Sequence, residues 1–213
     1  MMMPFRDLIV NHNLKIKGVL HLGSSFCQER KEYLELGCGR VVWIEAIKEV
    51  YEQAKKNLED YHNQYVYNYC LSNVDGEEVT FNISNNESQS SSMLELGIHK
   101  QIHPEVHYIN SVKMKTNRID TLVNNGEINI EGLNFLNADL QGVEALVIEG
   151  MGNYIKQFDY VLAEVNKVQT YIGCMTIDDF DYFMLLRGFE RVETGFWVGD
   201  SWTDALYKRF TNI

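Results

Sequence analysis

Short apolar runs closed by turn residues alternate along this chain with polar segments whose apolar positions recur at helical spacing, and that alternation constrains the fold more than any other feature. Residues 18–23, GVLHLG, form an apolar run ended by glycine, and the QERKEYLELG that follows sets Tyr33, Leu34 and Leu36 on one helical face. VVWIEA (41–46) reads as a second buried strand, and KEVYEQAKKNLEDY repeats Val50, Tyr51, Ala54 and Leu58 at helical spacing. A third strand is expected over YVYNYCLS (65–72), passing through Asp75-Gly76 into EEVTFNIS as a hairpin. HYINSVKMK and LNFLNADL follow as strands, VEALVIEGM as a helix, YVLAEVN as a strand and TIDDFDYFMLLRG as a helix. FERVETGFWV and DALYKRF close the chain as a strand pair. Strands joined through helices run parallel and are covered on both faces, so the expected fold is α/β: one mostly parallel sheet, helices on both faces, a single domain over residues 1–213.

Residues 84–92, SNNESQSSS, are the one low-complexity stretch, and their polar, aperiodic character predicts a mobile surface loop. Lys and Arg total 19 against 30 Asp and Glu, a formal charge of -11, which repels nucleic acid and anionic membrane surfaces as partners. No apolar run reaches the length of a membrane span, and Leu8 to Val10 is too short for a signal sequence, so a cytoplasmic location is expected. Cys27, Cys38, Cys70 and Cys174 lie far apart without a CxxC pair, which predicts buried reduced thiols rather than a metal or redox motif. Nothing in the pattern sets the oligomeric state, and a homodimer stays open beside a monomer.

In sheets of this kind the ligand lies beyond the carboxyl ends of the strands, facing the first strand-to-helix turn. Here that turn is Gly23-Ser24-Ser25-Phe26-Cys27-Gln28-Glu29, with a glycine for close backbone approach, two hydroxyls and free amides at the helix start. It does not match GxGxxG and carries no basic residue, so a dinucleotide pyrophosphate has no cradle. Glu45 ends the second strand about 20 residues on, where nucleoside-binding sheets place an acid for the ribose hydroxyls; the competing role is a carboxylate at the start of the next helix.

Three further acids, Asp139, Glu144 and Glu164, fall at or just past later strand ends, where a carboxylate can position a hydroxyl and take its proton; a cap role competes at each. His99, His103 and His107 are spaced four apart, but Pro104 breaks the helix that would stack them, so no metal site is expected. They read instead as a loop lining a ligand cleft, with His103 or His107 as an alternative base. Trp197 and Trp202 are candidate platforms for a sugar ring, at least one of them packing instead against the fold.

The segments in order, GVLHLGSSFCQE, VVWIEAIKEVYEQAKKNL, YCLSNVDGEEVTFN, RIDTL (118–122), FLNADLQGVEALVIEGM (135–151), the Glu164 strand, LLRGF (185–189) and GDSWTDALYKR (199–209), resemble the FkbM family of S-adenosylmethionine-dependent O-methyltransferases. The resemblance runs from about Gly18 to Arg209 and is most specific over NADLQGVEALVIEGM, which is similar to an Ile-Asp-Val-Glu-Gly-x-Glu core. It implies a Rossmann-like class I methyltransferase with a seven-stranded sheet and an antiparallel carboxyl-terminal strand pair. It also implies S-adenosyl-L-methionine as cofactor, held by His21, Gly23, Ser24, Ser25, Glu29, Glu45, Ala46, Leu71, Ser72, Ser91 and Asp139, and catalysis by Asp139 and Glu164 with His103 and His107. The chain departs from the family in having His21 in place of an aspartate, Cys27 at the second glycine of the turn, and Ala46-Ile47 in place of a proline. The activity implied is methyl transfer to a hydroxyl of a sugar or glycan, for which residues 84–92 and the histidine segment would supply hydrogen-bonding groups. Two other functions fit the same sheet: a nucleotide-binding oxidoreductase, which lacks its phosphate turn here, and a non-catalytic binding module marked by His21 and Cys27.

Overall fold

The computed structural model describes residues 3–210; residues 1–2 and 211–213, the ends of the expected domain, lie outside the described residues. The elements run α1 (Phe5–His12), β1 (Gly18–Leu22), α2 (Arg30–Glu35), β2 (Arg40–Glu45), α3 (Lys48–Asn57), β3 (Gln64–Asn68), β4 (Cys70–Leu71), β5 (Glu78–Ser84), α4 (His99–Ile102) and β6 (Tyr108–Asn117). They continue with α5 (Ile119–Asn124), β7 (Phe135–Ala138), α6 (Glu144–Gly150), a 3-10 turn over Gly152–Gln157, β8 (Tyr160–Asn166), α7 (Ile177–Leu185), β9 (Phe189–Thr194) and β10 (Trp202–Arg209).

Seven strands form the main sheet in the order β3-β2-β1-β7-β8-β10-β9. The first five are parallel, and β10 pairs antiparallel with both β8 and β9. This is the expected α/β, Rossmann-like arrangement, and strand order reverses between β1 and β7, which opens a crevice at their carboxyl ends. Side chains alternate across each strand, so the sheet has two apolar faces. Leu20, Leu22, Ile44, Leu136 and Ala138 pack with residues of α5, α6 and α7, including Leu122, Val147, Ile148 and Phe180. On the other face Val19, Val41, Trp43 and Phe135 pack with Phe5 and Leu8 of α1, Tyr33 of α2 and Ala54 of α3.

Four sequence expectations change in the structure. The segment 65–72 is two strands, because the chain leaves the main sheet at Tyr69, whose amide donates to the Glu45 carbonyl, and β4 pairs parallel with the end of β6. The Asp75-Gly76 hairpin is absent: β5 pairs antiparallel with β6, a strand some 30 residues later, in a separate three-stranded sheet. Asp75 is occupied elsewhere, accepting from the Arg118 amide at 2.7 Å and the Thr121 hydroxyl at 2.7 Å. HYINSVKMK accordingly belongs to that small sheet. Leu34 stands half exposed, since the short α2 turns only Tyr33 of its expected apolar face fully into the core. Finally, residues 84–92 are only partly a surface loop: Asn85, Glu87 and Gln89 are exposed as expected, but Ser84, Ser90, Ser91 and Ser92 are buried.

Helix α1 was not foreseen, and it closes one face of the sheet. Phe5 is fully buried, with its ring edge-on to Tyr33 and to Phe135 at 4.9 Å each. Removing that ring leaves a cavity between Tyr33 and Phe135. Phe5→Ala should lower the unfolding free energy by about 3 to 5 kcal/mol in a denaturant titration; a loss below about 1 kcal/mol would mean that α1 is not part of the cooperative core.

Candidate functional site

At the carboxyl ends of β1, β2, β7 and β8 lies a cavity of about 690 Å³, walled on its far side by residues 86–106, 170–171 and the start of β10. Its floor is fixed by backbone. Gly23, with φ +76, follows β1, and its amide and that of Ser24 donate to the Ile44 carbonyl. A Cβ at Gly23 would fall 1.7 Å from the Asp139 carbonyl oxygen, so glycine alone lets the exits of β1 and β7 close on each other.

Glu45 ties the first turn to the start of α3. One carboxylate oxygen accepts from the Ser25 amide and the other from the Ile47 amide, both at 2.9 Å. The second bond is the helix-start role weighed from sequence, yet the same carboxylate lines the cavity, so the two roles coexist. Burial raises its pKa to about 7, against the lowering effect of those amides; the charge of Asp139 adds to the rise.

Past β7, Asp139 and Glu164 face the cavity and are joined by Gln141, whose amide nitrogen lies 2.5 Å from Asp139 and 3.2 Å from Glu164. Asp204, which also lines the cavity, stands directly across from Glu164 in the β8–β10 register. Desolvation raises the pKa of Asp139 and holds that of Glu164 well above its usual value, with the charge of Asp139 the next cause at Glu164. Glu144 lies outside the cavity lining and caps the turn, one of its oxygens accepting from the Leu140 and Gly142 amides at 2.8 and 3.1 Å.

Of the expected cofactor positions, His21, Gly23, Ser24, Ser25, Glu29, Glu45, Ala46, Leu71, Ser91 and Asp139 line this one cavity, as do Glu164 and His103 among the expected catalytic positions. Ser72 does not: it is buried against the neighbouring turn, its amide donating to the Asn117 carbonyl. His107 does not either, being exposed beyond Pro104 with its ring nitrogen on the Glu105 carbonyl. His99 takes the inward place instead, buried between His103 and Tyr171 with Nε2 3.4 Å from the Ser90 hydroxyl. His21 stacks on Trp43 at 4.5 Å and bonds the Tyr33 hydroxyl at 3.0 Å, and burial drives its pKa down to about 3, so it is neutral. Trp202 lines the cavity, while Trp197 packs against the core under the Lys167 ammonium.

Gln141 and Tyr171 escaped the sequence reading, since an amide and a phenol in loops carry no spacing signal. Among the described residues, the lining holds the carboxylates of Glu29, Glu45, Glu105, Asp139, Glu164 and Asp204 and no Lys or Arg. No three His, Cys, Asp or Glu side chains of the described residues are grouped to hold a metal ion, and no helix of those residues is long and apolar enough to cross a membrane.

A family model described as the methyltransferase FkbM domain matches residues 15–191. No curated protein matches the sequence. Among solved structures, a putative tRNA (m1A22) methyltransferase of Streptococcus pneumoniae in complex with S-adenosyl-L-methionine superposes with a TM-score of 0.54 at 12% identity, over 100% of this chain and 75% of that one. Magnesium protoporphyrin IX methyltransferase of Synechocystis, with bound S-adenosylhomocysteine, gives 0.53 at 9% identity over 95% and 78%. The ribosomal protein L11 methylase of Lactobacillus delbrueckii gives 0.51 at 9% identity over 95% and 75%. At these identities the likeness is one of fold.

The buried acids make stability pH-dependent with a definite sign. Glu45 and Glu144 each have a folded pKa of about 7 against an ordinary 4.5, so the folded state keeps their protons longer than the unfolded chain does. Their contribution is present below about pH 4.5 and lost as pH rises through about 7, on the order of 1 to 3 kcal/mol each. Urea unfolding of the ligand-free protein at pH 5 and pH 8 should show this fall in stability, and Glu45→Gln should reduce it by the share that Glu45 contributes. The same fall in the variant would mean that Glu45 is not its source.

Proposed function

The chain belongs to the FkbM methyltransferase family, and from that premise we propose that it moves a methyl group from S-adenosylmethionine to a hydroxyl of a sugar or glycan. The observation that carries the proposal is the cavity itself: the Glu45 carboxyl at one end, to which we assign the ribose, a cluster of acids at the other, and no Lys or Arg among the described lining residues. The residues present fit the cofactor. Gly23 leaves the space a Cβ would fill, the Glu45 carboxylate has lone pairs left for two ribose hydroxyls, and buried acids suit a sulfonium. When bound, S-adenosylmethionine supplies an electrophilic methyl carbon on a positively charged sulfur.

This chain's part in the reaction is alignment and proton removal. The attacking hydroxyl oxygen must lie in line with the methyl carbon and the sulfur, so its position is worth more than its activation. Asp139 ends β7 at the strand-order reversal and offers a carboxylate to orient the hydroxyl and take its proton as the new carbon–oxygen bond forms. Its raised pKa makes it a stronger base than an ordinary aspartate, and Glu164 beside it is the second candidate. His99 and His103 stand on the opposite wall, where burial lowers the pKa of His99 and keeps the ring neutral, able to accept a hydrogen bond.

A neutral, polyhydroxylated acceptor suits these walls better than a polyanion does. Six carboxylates without a compensating Lys or Arg line the cavity, and the chain carries -11 overall, so a phosphodiester backbone would be repelled on approach and within the site. A nicotinamide dinucleotide meets the same obstacle at the first turn. The indole of Trp202 gives the cavity one aromatic face for a sugar ring.

The test pairs an acceptor panel with one variant. Labelled S-adenosylmethionine offered with glycosides, RNA, peptides and catechols should methylate a glycoside hydroxyl, located by NMR; labelling of RNA or peptide with every glycoside silent would sink the sugar reading. Asp139→Asn should bind S-adenosylhomocysteine within a few-fold of wild type while kcat falls by about 10² or more. Full turnover in that variant would transfer the role to Glu164 or to the histidines.

A further inference from the structure

Gln141 holds a place that an ordinary turn residue has no reason to hold. Its φ is +56, in the left-handed region that residues other than glycine avoid, and Gly142 follows at φ +100. The backbone is locked there from both sides: the Ser92 hydroxyl donates to the Gln141 carbonyl at 2.8 Å, and the amides of Leu140 and Gly142 donate to Glu144. What this conformation achieves is to turn the side chain inward. The amide nitrogen lies 2.5 Å from Asp139 Oδ1 and 3.2 Å from Glu164 Oε2, and the amide oxygen accepts from the Tyr171 hydroxyl at 2.5 Å. Donor and acceptor ends are fixed by the partners, since a carboxylate can only accept and the phenol donates.

We infer that Gln141 is a positioning residue for the transfer: its amide clamps the carboxyl groups of Asp139 and Glu164 side by side on the acceptor wall and keeps Asp139 ready to receive a proton. The inference takes its purpose from the methyl-transfer reading of the cavity, while its geometry stands apart from it. Around the pair, Asp204 faces Glu164 across the β8–β10 register, Glu144 lies beneath, Glu29 and Glu45 approach from the cofactor side, and Tyr171 closes the loop side. Among the described residues that line the cavity, these acids meet no Lys or Arg. Two buried carboxylates this close repel, and without a donor between them one would hold a proton and be useless as a base. A neutral amide reaching both oxygens is the smallest group that relieves the repulsion without adding a cation, and its hydrogen bonds lower the pKa of each acid against burial. Tyr171 then orients the amide, so the clamp is itself held.

The experiment is a titration that needs no turnover. In ligand-free full-length protein with carbon-13-labelled carboxyl groups, the midpoints of Asp139 and Glu164 should rise by about one pH unit in Gln141→Met and further in Gln141→Glu, which exchanges the donor for another charge. In acceptor assays kcat should fall about tenfold near neutral pH and recover as pH rises, with the acid limb of the profile moved by the same amount. A purely structural defect would instead lower kcat equally at every pH. Should Gln141→Met fail to fold, Tyr171→Phe, which frees the amide without touching an acid, should give a smaller shift of the same sign. Unmoved midpoints in a folded variant overturn the clamp, and a pH-independent loss of kcat overturns its role in transfer. If wild type methylates no glycoside at all, the sugar reading fails while the titration still decides the clamp.

Discussion

The contact between Gly23 and the carbonyl of Asp139 is the constraint on which the rest of the site depends. Parallel strands β1 and β7 lie side by side, with Asp139 extending the ladder through its amide to the Leu22 carbonyl. Beyond that point the chains must diverge, one toward α2 and the other toward α6, and a crevice opens where they part. Because glycine lets the two backbones touch before they separate, the Ser24-Ser25 turn drops low enough for the Ser25 amide to reach Glu45 on β2. Three strand ends are thereby tied by backbone and one carboxylate, and Asp139 and Glu45 are brought to face the same cavity. Loops placed on so rigid a base can vary without losing the geometry.

That base is unusual in its charge. Burial raises the pKa of Glu45, Asp139, Glu144 and Glu164, and no Lys or Arg among the described lining residues offsets the acids in the cavity. Amide donors carry the compensation instead: Ser25 and Ile47 for Glu45, Leu140 and Gly142 for Glu144, Gln141 for Asp139 and Glu164. Neutral dipoles satisfy the lone pairs while leaving net negative charge, and a cationic sulfonium is the ligand that benefits. A cavity stabilised by buried arginines would lose that selectivity.

The sheet was legible in the sequence because its strands are short, wholly buried runs separated by helices of clear period; β1, β2, β7 and β8 fall where GVLHLG, VVWIEA, LNFLNADL and YVLAEVN predict. The small sheet was not legible. Asp75-Gly76 has the composition of a tight hairpin, but the Asp75 carboxylate is drawn to Arg118 and Thr121, and β5 finds β6 across an intervening segment that no local pattern reveals. Position along the strands placed Glu45, Asp139 and Glu164 in the cavity, since a strand end at a known edge of a sheet is a coordinate in itself. His107 and His99 were exchanged because four-residue spacing carries no facing once Pro104 ends the helix, and Ser72 turned away with the chain as it left the main sheet.

Residues 84–92 show why composition misleads about order. Their hydroxyls and amides bond one another: the Ser84 amide donates to Ser91 Oγ at 3.0 Å, the Ser90 amide to Ser84 Oγ at 3.1 Å, and the Asn86 amide to Ser90 Oγ at 2.9 Å. Asn82 and Ser92 then exchange backbone hydrogen bonds, stapling the turn to the end of β5. Short polar side chains that compete with regular structure can also replace it, and here they build a half-buried turn largely from their own hydrogen bonds. With those groups committed to each other, the segment acts as shaped wall more than as a source of free hydroxyls. The same wall holds other cavity groups in place: His99 against Ser90, Tyr171 against Gln141, and through Gln141 the two acids on the far side.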